Sequence, residues 1–393
     1  MKKILVAVPE GLRWDAAVQK SVHESLPYYA YGFIDANFGG DFLEVFIKDE
    51  NNPDVALEAS ILSLIIQISS GFRDVRDRQL KKSAQKLTLA KDDPYAGLIN
   101  KGSIVQTGHG KFVYRGDFLR VFQALDAKIL AFCKAQGALE EIYPSTVKVQ
   151  SLLDSGYLRS TPHLAYFVAP AHLDVKCLLE LGSTDVLSET NRKTTVQNLG
   201  VPREILAPTV CYHAFESRYD TIVNRELVTA INKCYRHEPV NVRGLERLTT
   251  YWMRELMVFN DASSVERILA ASLDWTSSLL DEFGVSYSVV TASDPFFSDM
   301  AAGKRMFQAA FDLKKEIKVN IFGGEEIAIA SFNNHNKSLV SKFKIRSDTD
   351  VEVDMQSGCV GWGLERFIYG LYSQLGLDIE KWPRQVRESL DLF

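Results

Sequence analysis

Apolar residues along the first hundred positions recur at two different periods. Lys3 to Val8 and the alternating run Phe42 to Lys48 predict strands, whereas Asp15 to Leu26 and Asp54 to Ser69 carry apolar residues at helical spacing. Together they predict a small α/β unit. Arg73 to Lys86 is rich in Arg and Lys with little apolar content, and reads as a docking helix or a solvated helix face. The turn-rich stretch Lys91 to Gly110 then marks a boundary, giving an N-terminal domain over 1–110 and a second domain over 111–393. Downstream, Phe118 to Gln136 has the apolar stripe of an amphipathic helix that closes at Gly137. Ile142-Tyr143-Pro144 follows as a strand entry with proline at its edge.

A length of 393 residues supports two domains with substantial cores. With 24% charged residues, 46% hydrophobic residues and a net charge of -5, bulk charge points to no polyanionic or membrane partner, so any such attraction is local. The apolar stretch Ala59 to Phe72 is interrupted by Ser and Gln and falls short of the roughly 20 residues of a membrane span. The apolar run at the start ends at Pro9, as a first strand does and a signal peptide does not. Five scattered cysteines in a chain of this size predict reduced thiols and a cytoplasmic protein. Cys133, Cys177 and Cys234 read as small buried hydrophobes.

Candidate chemistry concentrates in the second half. Tyr235-Arg236-His237-Glu238, a polar loop, and then Arg247, Tyr251 and Glu255 predict two strands facing a common cleft, with period two placing the last three on one face. Guanidiniums match phosphate oxygens, an aromatic ring stacks on a base, and a carboxylate accepts from an exocyclic amine, so the set suits a nucleoside triphosphate. The same pattern also serves as ion pairs across antiparallel strands. Gly358-Cys359-Val360-Gly361-Trp362-Gly363-Leu364-Glu365-Arg366 joins a Gly-rich strand to a helix, with Arg366 in the first turn where the dipole favours anions. Its alternative reading is a plain strand-to-helix turn.

Taken together, these blocks resemble motifs 2 and 3 of class II aminoacyl-tRNA synthetases, and Phe118 to Gln136 with Tyr143-Pro144 resembles motif 1. The resemblance covers residue 111 onward and implies an α+β fold, an antiparallel sheet flanked by helices, with a homodimer formed through motif 1. Leu206-Ala207-Pro208-Thr209-Val210-Cys211 looks like the amino-group-binding loop of seryl enzymes, with Cys211 where those enzymes carry Glu. That replacement resembles the zinc-dependent branch, which comprises atypical archaeal seryl-tRNA synthetases and amino acid:carrier protein ligases. It implies zinc on Cys211, Glu255 and Cys359, with the fourth tetrahedral position open to the substrate amine.

Several other segments resemble the carrier-protein ligases in particular: Ser155-Gly156-Tyr157-Leu158 with Thr161-Pro162-His163-Leu164, Ser293-Asp294-Pro295-Phe296-Phe297, Ala330 to His335, and Trp382-Pro383. Ser331 and Asn333 are candidate substrate contacts or buried polar groups. By resemblance, Arg236 holds the α-phosphate and carboxylate, Arg247 and Arg366 the distal phosphates, Glu238 the adenine amine and Tyr251 an adenine face. ATP is then a substrate and Mg2+ its companion, although no acidic ligand is evident between Ala328 and Ser331. The expected reaction is ATP-dependent activation of a small amino acid as its adenylate, followed by transfer to the phosphopantetheine thiol of a carrier protein. A seryl-tRNA synthetase acylating tRNA is the second expectation, and an inactive paralogue with a binding or regulatory role the third. Residues 1–110 hold 13 Lys and Arg against 14 Asp and Glu, a balance unlike the basic surface of a tRNA-binding module.

Overall fold

Alternation shapes the N-terminal region of the computed structural model, which describes residues 1–30, 32–48, 54–71, 78–183, 196–238, 242–292, 313–347 and 354–393. The described residues form two compact units, one running to Gly71 and the other beginning at Arg78. In the first, β1 (Lys2–Ala7), β2 (Phe33–Phe38) and β3 (Phe42–Ile47) pair in the order β1-β3-β2. Every pair is antiparallel, so this unit is α+β and not the expected α/β. Leu43, Val45 and Ile47 bury one face of β3 in a core shared with Val18, Val22 and Leu26 of α1 (Ala16–Tyr29) and Ile61 and Ile65 of α2 (Asp54–Gly71). Asp15 starts α1 by accepting from the Ala17 and Val18 amides.

The boundary between units lies upstream of the turn-rich stretch around Lys91 to Gly110. Gln79–Lys82 forms β4, an edge strand of the second unit's sheet, where a helix was expected; its backbone groups complete the edge of the strand Tyr287–Thr291. Arg73 to Asp77 lie outside the described residues. The helix Pro94–Asn100, α3, and the hairpin Ile104–Gly108/Lys111–Tyr114 likewise belong to the second unit.

That unit is built on a sheet of eight strands among the described residues. Besides β4 it holds β5 (Leu139–Glu140), β6 (Glu226–Tyr235), β7 (Thr250–Asn260), β8 (Tyr287–Thr291), β9 (Lys314–Asn320), β10 (Glu326–Asn336) and β11 (Gln356–Gly363). Their order is β4-β8-β9-β10-β11-β7-β6-β5, antiparallel except for the β6/β5 pair. The expected strand entry at Ile142-Tyr143-Pro144 is instead irregular chain between β5 and a short strand at Thr146–Lys148, because Pro144 has no amide hydrogen for a ladder.

Period two gives the sheet two unlike faces. Leu256 and Val258 of β7, Phe332 of β10 and Val360 and Trp362 of β11 pack in the core with α4 (Gly116–Ala135), α6 (Ala262–Glu282) and α7 (Leu364–Leu375). Met257 and Phe259 of β7 and Cys359 of β11 face the other way, towards α5 (Cys211–Ser217). Asp261 caps α6 by accepting from the Ser264 amide at 2.9 Å. Gly137 ends α4 with φ +88°, the left-handed conformation expected past a helix C-terminus. Among the described residues no helix is long and apolar enough to cross a membrane.

One buried ion pair fastens α4 to the sheet. Arg254, with only 1% of its side chain exposed, donates to both carboxylate oxygens of Asp126 at 2.5 and 2.9 Å, and lies 3.5 Å from Glu140. Replacing Asp126 with alanine strands a buried guanidinium, while Glu140 supplies partial compensation. The expected loss is towards the lower end of about 3–5 kcal/mol. Denaturant unfolding checks it, and an unchanged midpoint would show that the pair contributes nothing.

Candidate active site

The face away from α4, α6 and α7 carries the chemistry, because antiparallel register brings distant residues side by side. Glu255 of β7 stands opposite Gly361 of β11, and Met257 opposite Cys359. Across the other edge of β11, Ser331 stands opposite Gly361 and Asn333 opposite Cys359. Glu255, Cys359, Ser331 and Asn333 therefore share one face. Cys211 opens α5 and reaches the same place, since the Val210 amide before it donates to Glu255 Oε1 at 3.0 Å.

The ligand atoms of Cys211, Glu255 and Cys359 all lie within 4.8 Å of one another, and all three residues are buried. Thr209 Oγ1 is 3.0 Å from Cys211 Sγ. Asn333 Nδ2 and His335 Nε2 each lie 3.5 Å from Cys359 Sγ. Glu255 Oε2 is buried without a hydrogen-bond partner, an expensive condition for an acceptor unless something else binds it. A Cβ on Gly361 would come 2.9 Å from Met253 Sδ and 3.6 Å from Glu255 Cγ and Ser331 Oγ, so glycine keeps this floor open.

The electrostatics are those of crowded acids. Burial, with the neighbouring Cys359 charge, pushes the Glu255 carboxyl up to about 8. Cys211 keeps its proton and donates towards Cys359; that bond and burial hold Cys211 well above the ordinary thiol range, while the same bond, with help from His335 and Asn333, holds Cys359 well below it against the opposing effect of burial. Two thiols and a carboxylate, one oxygen of it unpartnered, are a donor set that could hold a metal ion.

Beside this cluster three guanidiniums converge. Arg236 lies over the Tyr251 ring, 5.6 Å from its centroid, and its Nε donates to the Pro208 carbonyl at 3.3 Å. Arg366, in the first turn of α7, donates to the Glu246 and Ala328 carbonyls. Burial, with the like charges of Arg236 and Arg247, lowers its pKa. Arg247 is not on the strand face, since β7 begins only at Thr250; it sits in the preceding turn, bridged to Arg243. From there it forms a bidentate pair with buried Glu238, at 3.0 and 3.2 Å. A four-residue spacing suits a strand face, but backbone pairing in this turn takes Arg247 out of the alternation.

Tyr251 and Glu255 lie on β7 with the expected alternation, whereas Arg236 and Glu238 fall just past the end of β6 and not on a strand, and Ser293 to Phe297 lie outside the described residues. Two further groups stand out only in three dimensions. Glu316 of β9 pairs in register with Ser331, carries 17% side-chain exposure, meets Lys314 at 3.2 Å and acts electrostatically on Arg366. The alternation of buried Ile317 and Val319 with polar neighbours was its available sequence signal. Glu365 is buried next to Arg366 and accepts from the Trp252 amide and the Tyr114 hydroxyl, each at 3.0 Å. Burial pushes its carboxyl up to about 7.

Residues 200–374 match the core domain of class II tRNA synthetases of the G, H, P, S and T group. The type-2 serine–tRNA ligase of Methanopyrus kandleri is 25% identical over 344 residues, 82% of this chain and 62% of that protein. Amino acid–[acyl-carrier-protein] ligase 1 of Bradyrhizobium diazoefficiens is 26% identical over 254 residues, 64% of this chain and 76% of that protein. The chain thus spans about three fifths of the length of such serine–tRNA ligases. In three dimensions, M. kandleri SerRS in complex with A. aeolicus tRNASec superimposes with a TM-score of 0.72 at 19% identity, covering 99% of this chain and 77% of that one. Seryl-tRNA synthetase from Pyrococcus horikoshii complexed with ATP gives 0.57 at 14%, covering 79% and 64%.

Proposed function

We infer, from a chain that carries a class II tRNA synthetase core domain and has both serine–tRNA ligases and an amino acid–[acyl-carrier-protein] ligase as homologues, that it activates a small amino acid with ATP. The observation that carries this reading is the convergence of Cys211, Glu255 and Cys359, with Arg236 over the neighbouring Tyr251 ring and Arg366 close enough to feel the Arg236 charge. Zinc held by Cys211, Glu255 and Cys359 supplies a Lewis-acidic anchor for the free α-amino group.

Arg236 orients the carboxylate and the α-phosphate. A carboxylate oxygen attacks the α-phosphorus, and the bond to the β-phosphate oxygen breaks as pyrophosphate leaves. This transfer needs positioning and neutralisation of charge more than an acid or base. Arg366 and Arg247 neutralise the departing phosphates, Tyr251 stacks on adenine and Glu238 accepts from its amine. Glu238 would then turn one oxygen from Arg247 to the base. Glu316, facing Arg366 from the neighbouring strand, is the carboxylate we assign to magnesium. Ser331 lines the amino acid pocket, and Asn333 serves between it and Cys359.

The acceptor in this reading is the phosphopantetheine thiol of a carrier protein, which attacks the activated carbonyl and displaces AMP in a cytoplasmic reaction. Transfer to tRNA is the second reading. Its support is that similarity to the M. kandleri enzyme extends over 82% of the chain, against 64% for the carrier-protein ligase. A homodimer through α4 belongs to this reading because Phe118 to Gln136 with Tyr143-Pro144 resembles motif 1.

Amino-acid-dependent exchange of labelled pyrophosphate into ATP tests the first step. Exchange is expected with one or a few small amino acids and not with their N-methyl or deaminated analogues. No exchange with any amino acid would overturn the assignment. Offering holo-carrier protein and tRNA side by side then identifies the acceptor, and acylation of tRNA alone would replace the first reading by the second.

A further inference from the structure

The two cysteines of the cluster are supported unequally. Cys211 Sγ has the Thr209 hydroxyl beside it, whereas Cys359 Sγ faces two nitrogen donors, Asn333 Nδ2 and His335 Nε2, both at 3.5 Å, a hydrogen-bond contact given sulfur's larger radius. His335 follows Asn333 on β10 at a bulge in the pairing with β11, between Asn334 and Asn336, and its ring reaches the same sulfur. Behind it, His335 Nδ1 lies 3.3 Å from Ser357 Oγ, and Ser357 is fully buried on β11 two positions before Cys359. The ring also lies tilted against Phe215, 5.9 Å between centroids.

We propose that His335 is a positioning residue for the metal: Ser357 donates its hydroxyl hydrogen to Nδ1, and the proton thereby kept on Nε2 is donated to the Cys359 thiolate. Which ring nitrogen carries the proton is set by the partner of the other one. A donor aimed at a liganding sulfur fixes the direction of its lone pairs and withdraws charge from it, as outer-shell partners of metal ligands do. Cys359 is then the sulfur that arrives oriented and Cys211 the one that closes on the metal. This inference rests on the zinc reading above, and it assigns His335 no contact with substrate or metal.

Cobalt(II) alone, added to the metal-free full-length chain, is the probe, because thiolate-to-cobalt charge-transfer absorption reports the electron density on the liganding sulfurs. His335→Phe keeps a ring against Phe215 and removes the N–H. It is expected to shift the charge-transfer band to lower energy and to weaken zinc in chelator competition by about 10–100-fold. His335→Gln, which returns an N–H near the Nε2 position, should restore both, and Ser357→Ala should shift the band in the same direction by less.

Wild-type band position and affinity in His335→Phe would overturn the proposal while leaving the zinc reading intact. If His335→Gln loses the metal as completely as His335→Phe, His335 is a ligand and the donor role fails. A wild-type chain that takes up neither cobalt nor zinc would overturn the metal reading and this inference with it. Thermal unfolding of the metal-free variants separates these results from misfolding, and Ser357→Ala provides the independent second variant.

Discussion

Replacing Cys359 with alanine is expected to remove the metal and amino-acid-dependent pyrophosphate exchange together, with exchange falling by about 10³-fold or more. Two remaining ligands, Cys211 and Glu255, cannot define a tetrahedral site with one open position. The amine then loses its anchor, while the phosphate-binding arginines stay. Metal content measured beside exchange checks this, and Cys211→Ser should behave alike. A variant that keeps full exchange and a full complement of metal would sink the assignment of these residues as ligands.

The same site predicts opposite pH responses with and without metal. In the metal-free protein Glu255 titrates near 8, above its ordinary 4.5, so folding favours its protonated form. Its stabilising contribution is complete below about 4.5 and is lost as pH rises through 8. With metal bound the carboxylate must be ionised and Cys211 must give up its proton. Metal affinity should therefore rise over the pH range in which the metal-free protein loses stability. Unfolding midpoints of both forms across that range provide the measurement.

Arg366→Ala should abolish exchange almost as thoroughly, by about 10²–10³-fold, without weakening the fold. Burial and the charges of Arg236 and Arg247 already disfavour the Arg366 cation, so its removal relieves repulsion in the ligand-free protein. A preserved or raised unfolding midpoint with lost exchange is the expected pair of results. The carbonyls of Glu246 and Ala328 lose a donor, which limits the gain. Full exchange in this variant would mean that the distal phosphates are bound elsewhere.

Much of this site could be read before any coordinates. Cys211, Glu255 and Cys359 stand out by residue type and by the blocks that contain them, and alternation puts Tyr251 and Glu255 on one face of their strand. The helix over 116–135 and its stop at Gly137 followed from periodicity and glycine conformation. Arg247 was misread because a spacing of four suits a strand and also a turn that ends before one, and only backbone pairing distinguishes them. Gln79–Lys82 was misread because an edge strand exposed along its length has no apolar alternation to betray it.

What the sequence determined by itself was the local part: which residues could bind metal and phosphate, and which way each side chain points along its own strand. Tertiary structure decided who stands beside whom. Residues 211, 255 and 359 come within 4.8 Å only because antiparallel hydrogen bonding sets Gly361 against Glu255, Cys359 against Met257, and the Val210 amide against the Glu255 carboxylate. Side-chain alternation is a property of one strand, whereas register is a property of two, fixed by the packing of the whole sheet between its helices.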